Sequence, residues 1–244
     1  MMYLTREERL LDVESIKNTR DLGGYETQEG SFTHTHRYVR AATPAHLTER
    51  DKAYLYDYGV RCIVDLRSQY EIEKAPNQMR GYKDIEYFHV DIFGDPNATL
   101  VPQSGVSFKD MGDLYCLMLD HFQNSFRKVF EIFLEHLDTC VLFHCSAGKD
   151  RTGVTAALLL DLAGCHMYDI VKDYSESYEN NQEIYEELLK LANNENAHYL
   201  MSDPIYMMKM MDHLYEQYGS ARGYLRVLGF QDEDIDALVH NLTI

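Results

Sequence analysis

A chain of 244 residues can build a sizeable core, and its 45% hydrophobic and 26% charged residues exclude a disordered polymer. The formal net charge of −17 argues against a general binder of nucleic acid or anionic membrane, so any anion site must be local. No run approaches the length that spans a bilayer, and the opening MMYLTREERL carries charges where a signal segment would be apolar. Five cysteines (Cys62, Cys116, Cys140, Cys145 and Cys165) form no CxxC pair and are odd in number. The expectation is therefore a cytoplasmic protein with reduced thiols and no zinc site.

Strand and helix patterns alternate along the chain. RYVRAA (37–42) reads as a strand. The stretch 43–59 reads as a helix opened by Thr43, with Pro44 in its first turn and Gly59 at its end. VRCIVDLR (60–67) is a buried strand and IEYFHVDI (85–92) a second. The turn formers of 94–105 mark a loop, and 114–137 carries apolar residues at helical spacing. CVLFH (140–144) is a third buried strand, followed by a helix over 152–164 ended by Gly164. This alternation implies an α/β fold with a largely parallel central sheet and helices on both faces. Residues 168–222 differ: they are helical in period and rich in Tyr, Met and Glu, with breaks at ANNENAH and SDP. They read as a helical insertion and a candidate lid within one domain over 1–244. The cluster Met207, Met208, Met210 and Met211 suits core filling before a binding surface. The tail reads as two short helices joined at Gly229, with Asp232 as a cap.

Between the third buried strand and its helix lies FHCSAGKDRTG (143–153). A strand that enters a glycine-containing loop and then a helix aims successive N–H groups and the positive end of the helix dipole at one small volume. Cys145 stands at the strand exit and Arg151 at the helix entrance, and a guanidinium suits bidentate contact with phosphate oxygens. Such surroundings favour a thiolate nucleophile. Two other readings fail. A Walker loop needs glycine where Phe143 stands and a hydroxyl where Asp150 stands. A His144–Cys145 dyad fails because strand neighbours point to opposite faces.

Cys145, five residues and Arg151, preceded by His144 and followed by Thr152, resemble the Cys-x5-Arg signature of the cysteine-based phosphatases. HCSAGKDRTG is similar to the loop of the atypical bacterial tyrosine phosphatases, a subfamily with members active on phosphotyrosine and on phosphoinositides. NTRDLGGY (18–25), VDLRSQYE (64–71) and YGSARGYLRVLG (218–229) resemble further motifs of that subfamily, so the likeness runs nearly the length of the chain. SYEN (177–180) departs from the serine-asparagine pair that relatives tend to carry at the start of the lid.

The resemblance implies a tyrosine-phosphatase-like fold and attack by the Cys145 thiolate on a phosphate monoester, giving a phosphocysteine that water hydrolyses. Arg151 and the loop amides of Ser146, Ala147, Gly148, Lys149, Asp150 and Arg151 would hold the phosphoryl oxygens. The residues alone leave the general acid open among Asp91, Asp95, Asp110, Asp113 and Asp150; the resemblance assigns it to Asp150. Thr152 stands where its hydroxyl could bond the departing thiolate or cap the helix, and His144 where it could orient the loop. Asp65 and Arg67, at a strand exit, would brace the site or form a structural pair. Arg20 and Asp21 lie beside a glycine turn, and only the resemblance brings them near the phosphate. Lysine at position 149 recurs in lipid-directed relatives. The implied partners are a phosphorylated protein or phosphoinositide substrate and inorganic phosphate, with no metal and no cofactor; His34 and His36 lack ligand partners in the sequence. A phosphate-binding adaptor would be expected to lose Cys145 or Arg151, and a redox sensor would share the same thiol.

Overall fold

A computed structural model describes residues 3–94, 108–183, 185–186 and 200–243. The elements run α1 (Arg6–Arg9), β1 (Arg20–Asp21), β2 (Tyr38–Ala41), α2 (Glu49–Tyr58), β3 (Val60–Asp65), α3 (Gln69–Lys74), β4 (Glu86–His89), α4 (Met111–His121), α5 (Gln123–Glu135) and β5 (Cys140–His144). They continue with α6 (Asp150–Leu162), α7 (Met167–Asn180), α8 (Pro204–Tyr218), α9 (Ala221–Val227) and α10 (Asp232–Leu242). The five strands form one sheet in the order β1-β2-β5-β3-β4, in which only the β1–β2 pairing is antiparallel.

Strand alternation divides the interior. Cys62 and Val64 of β3, with Val141 and Phe143 of β5, pack into a core with α4–α10; Ile63 and Leu142 face a smaller core with Leu55 of α2 and Leu11, Val13 and Ile16. The central strands β2, β3 and β5 are thus buried on both faces, while the edge strand β4 is partly exposed. In register, Ala41 and Asp65 flank His144, and His89 lies beyond Asp65. All four carboxyl ends meet one edge, where sites form in such sheets.

Several boundaries differ from the pattern reading. The second helix begins at Glu49, capped by Thr48, whose hydroxyl accepts from Asp51 N at 3.1 Å. Thr43 is no cap: its hydroxyl finds no hydrogen-bond partner among the described residues, and its N–H donates to Ser146 O at 3.0 Å. The expected helix over 114–137 is two, capped by Asp110 and broken at Phe122. Phe122 is buried and rests edge-on against Phe93, so the apolar spacing runs on through the break. At the tail Gln231 occupies the cap position, while Asp232 is helical and receives Arg226 Nε at 2.8 Å. In 168–222, Met207, Met210 and Met211 are fully buried and Met208 faces out. SYEN lies within the last turns of α7. Residues 95–105 of the expected loop, Asp95 among them, and the ANNENAH break lie outside the described residues. Among the described residues no helix is long and apolar enough to cross a membrane.

Candidate active site

β5 delivers Cys145, almost fully buried, to the carboxyl edge of the sheet, and the chain turns through Ser146–Lys149 into α6. Gly148 makes the turn at φ +64°, and a Cβ there would lie 2.4 Å from Ala41 O, so no other residue fits. The helix starts at Asp150, two residues earlier than the apolar pattern indicates, which brings the first turn of α6 into the loop itself.

Each carbonyl of the turn is taken by a donor from the surrounding framework. His144 Nδ1 meets Cys145 O at 3.1 Å, and Thr43 N meets Ser146 O at 3.0 Å. Ala147 O accepts from Asn18 Nδ2 and Asn181 Nδ2, both at 3.0 Å. Gly148 O accepts from Asn18 Nδ2 at 2.9 Å and Arg40 Nη2 at 2.8 Å. In a trans peptide the C=O and the following N–H point in opposite directions. With four carbonyls held outward, the N–H groups of Ser146, Ala147, Gly148 and Lys149 face the other way, toward the concave side beside α6.

Arg151 is held by a residue that pattern reading missed. Its Nη1 and Nη2 donate to Glu71 Oε2 and Oε1 at 2.7 and 2.8 Å, and the Ser146 hydroxyl also donates to Glu71. Burial pushes the Glu71 carboxyl up, but the Arg151 and Ser146 hydrogen bonds outweigh it and hold Glu71 well below the usual carboxylate range. The pair therefore stays ionised, and a two-point fork fixes the plane of the guanidinium, which also lies 5.7 Å from the Phe93 ring centroid. Glu71 closes a capping box at the start of α3 as well, accepting from Ser68 N at 2.9 Å. Ser-x-x-Glu is readable as a cap; the reach to Arg151, eighty positions on, is not. In Glu71→Gln, kcat/KM on an aryl phosphate is expected to fall about 10- to 100-fold, the kinetic equivalent of one charge-assisted hydrogen bond. Steady-state kinetics checks this; an unchanged kcat/KM would show that Glu71 serves the cap alone.

Asp65 and Arg67 form a buried bidentate pair at 2.8 and 2.7 Å. Asp65 also receives Tyr87 OH at 2.9 Å and lies 3.3 Å from His144 Nε2. Burial opposes the charge on Asp65, yet the Arg67 hydrogen bonds and the neighbouring His144 hold its carboxyl far below the usual range. Asn77 Nδ2 contacts the same His144 Nε2 at 2.9 Å, and Met79 N on Asn77 Oδ1 fixes that amide's orientation. The His144 ring is thereby clamped in the plane from which Nδ1 meets the loop.

Asp150 accepts from Tyr115 OH at 2.5 Å and lies 3.3 Å from Lys149 Nζ, and Tyr115 in turn meets Tyr174 OH at 2.8 Å. Burial and the Asp150 charge push the Tyr115 phenol up, so it remains a donor. Lys149 is itself buried, with Nζ donating to Met201 O at 3.2 Å; it is not a charge held out to solvent. Thr152 Oγ1 is buried and finds no hydrogen-bond partner among the described residues.

The other acid candidates are placed differently. Asp91 accepts from Phe93 N at 3.0 Å and lines a cleft with Asn124, Ser125 and Lys128. Asp110 caps α4, and Asp110 and Asp113 pair with Lys209 at 3.0 and 2.5 Å. Asp21 does not join the loop: its oxygens accept from Gly23 N, His36 N and Tyr58 OH, which tie down the turn after β1. Arg20 does reach the site indirectly, through Asn18 and Asp173.

A strand–loop–helix anion cradle with a buried thiol at one end and a pinned arginine at the other, on a mostly parallel sheet, defines a cysteine-based phosphatase class. Residues 11–244 match the tyrosine phosphatase family, and the chain belongs to it. It is 31% identical over 232 residues to a tyrosine-protein phosphatase from Nostoc commune, spanning 82% of this chain and 72% of that one. It is 25% identical over 247 residues to the triple specificity protein phosphatase PtpB of Mycobacterium tuberculosis, spanning 83% and 89%. Among solved structures it is similar to the core catalytic domain of the PP-IP phosphatase SIW14 from S. cerevisiae, with a TM-score of 0.42, 14% identity, and 80% of this chain and 97% of that one covered.

Proposed function

We propose that this phosphatase hydrolyses phosphate monoesters, phosphotyrosine among them, through a covalent phosphocysteine at Cys145. One observation carries the reading: the carbonyls of residues 145–148 are all held away from the concave side, which leaves that side to N–H groups, Arg151 and the thiol. An anion seated there meets N–H and guanidinium donors at a helix N-terminus. The Cys145 sulfur attacks phosphorus in line while Arg151 and the amides follow the charge on the equatorial oxygens. The phosphorus–oxygen bond to the alcohol breaks, and Asp150 supplies the proton that the leaving oxygen needs. Water then attacks the phosphocysteine with Asp150 as base, and the S–P electron pair returns to Cys145. Thr152, whose buried hydroxyl has no partner among the described residues, stabilises the departing thiolate in this reading. In this reading residues 1–244 work as one phosphatase unit, with the 168–222 segment bordering the loop through Asn181 and Met201.

Substrate breadth follows from the same loop. The Mycobacterium tuberculosis relative is named for triple specificity, which supports activity here beyond phosphotyrosine. The buried Lys149 bears on this. Removing it takes the ammonium away from Asp150 and breaks the tie to Met201, so Lys149→Ala is expected to lower turnover of phosphotyrosyl peptide and phosphoinositide alike. The test is a side-by-side measurement on both substrates. A loss confined to phosphoinositide would make Lys149 a headgroup contact; a wild-type protein that turns over neither would end the reading.

A further inference from the structure

Asn18 lies far from the loop in sequence, yet its side chain grips two carbonyls of the loop at once. Its Nδ2 donates to two consecutive loop carbonyls, Ala147 O and Gly148 O, at 3.0 and 2.9 Å. Its Oδ1 accepts from Arg20 and, at 3.2 Å, from Asn180 Nδ2, which leaves no ambiguity about which way the amide faces. The backbone at Asn18 is left-handed, at φ +56°, a conformation that asparagine tolerates better than most residues. Behind it Arg20 and Arg40 converge on the buried Asp173 of α7, Arg20 through Nε at 2.8 Å. Burial pushes the Asp173 carboxyl up, but the two arginine charges outweigh it and keep it ionised. Arg40 extends the same network to Gly148 O, and Asn181, at the end of α7, adds the second donor to Ala147 O.

We propose that Asn18, with Arg40 and Asn181, is a positioning residue of the phosphate site. It locks the peptide planes 147–148 and 148–149 so that two amides are aimed at the transferring phosphoryl group before substrate arrives. None of the three needs to touch substrate. Because Arg40 is held by Asp173 and Asn181 ends α7, the first helix of the 168–222 segment is part of the scaffold of the loop. The proposal rests on the reading of residues 145–151 as the phosphate site and adds the residues that set its geometry. Without the clamp each plane can rotate and bring a carbonyl oxygen toward the anion, which weakens ground-state phosphate binding and weakens a transition-state mimic by at least as much.

The experiment uses the whole chain with Asn18→Gly, Asn181→Ala and the double variant. Glycine accepts the left-handed backbone, so Asn18→Gly removes the donors without adding strain. kcat/KM on para-nitrophenyl phosphate, inhibition constants for inorganic phosphate and vanadate, and Tm are measured together. Asn18→Gly is expected to lower kcat/KM and vanadate affinity in parallel, by about 10- to 100-fold, as the loss of two buried hydrogen bonds would. Asn181→Ala is expected to cost less, because Asn18 still holds Ala147 O. The double variant is expected to lose more than the product of the two, because the last donor to that carbonyl goes. Wild-type kcat/KM and vanadate affinity in folded Asn18→Gly would overturn the proposal, as would strictly multiplicative losses with unchanged vanadate affinity per active site. Cys145→Ser run in parallel separates the two levels: if it turns over substrate at the wild-type rate, the phosphate-site reading itself falls.

Discussion

Cys145→Ser is expected to abolish turnover, on the order of 10⁶-fold in kcat by comparison with nucleophile removal in a protease, while phosphate still binds. In the first step Asp150 acts as the acid and so does not deprotonate a serine hydroxyl at the buried strand exit, whereas a thiol ionises far more readily without a base. The cradle does not depend on that sulfur. Its amides are aimed by carbonyls bound to His144, Thr43, Asn18, Asn181 and Arg40, and Arg151 is fixed by Glu71. Isothermal titration with inorganic phosphate and single-turnover kinetics read the two properties separately. A serine variant that keeps a substantial fraction of wild-type turnover would mean that the thiol is not the nucleophile.

The second large effect belongs to Asp150. Substitution by asparagine keeps the volume and a partner for Tyr115 but removes the exchangeable proton. General acid–base catalysis contributes typically ~10²–10⁴-fold, so Asp150→Asn is expected to slow hydrolysis of a phosphotyrosyl peptide by that order. An aryl phosphate with a strongly acidic phenol needs little protonation and is expected to be slowed much less. The structure narrows the alternatives: Asp110 and Asp113 are committed to Lys209, and Asp91 to the backbone of Phe93. Equal slowing on both substrates would make Asp150 a structural partner of Tyr115 and Lys149. Leaving-group dependence in Asp91→Asn would move the acid to the other loop.

How much of this was legible depends on how local each signal is. β3, β5 and α6 declare themselves because buried parallel strands are continuous apolar runs and the helix that follows has its own period. The cradle is local as well: Cys145, Gly148 and Arg151 lie within one turn, and the chemistry they share is readable from spacing. Thr43 misled because Thr-Pro is a common way to open a helix, while here its amide is needed at Ser146 and the helix waits for Thr48. The break at Phe122 was invisible because a buried aromatic preserves the apolar spacing through it. The contacts of Glu71, Asn18, Arg40 and Asn181 could not be read from the chain alone, although Asn18 and Glu71 stand in motifs shared with the subfamily: each reaches the loop across tens of positions or more, and only folding the sheet brings them to one edge. Asp21, by contrast, stands next to a residue that reaches the site and itself turns away to Tyr58.

The central claim is a covalent phosphoenzyme on one cysteine, and it can be observed directly. Wild-type protein mixed with excess para-nitrophenyl phosphate, quenched within one turnover and digested for mass spectrometry, is expected to carry phosphate on the peptide containing Cys145 and on no other residue. The label is expected to build up further in Asp150→Asn if that carboxylate also activates the hydrolytic water. A burst of phenol release with phosphate on a different side chain, or steady turnover by an enzyme whose quenched samples carry no phosphate at all, would contradict the mechanism.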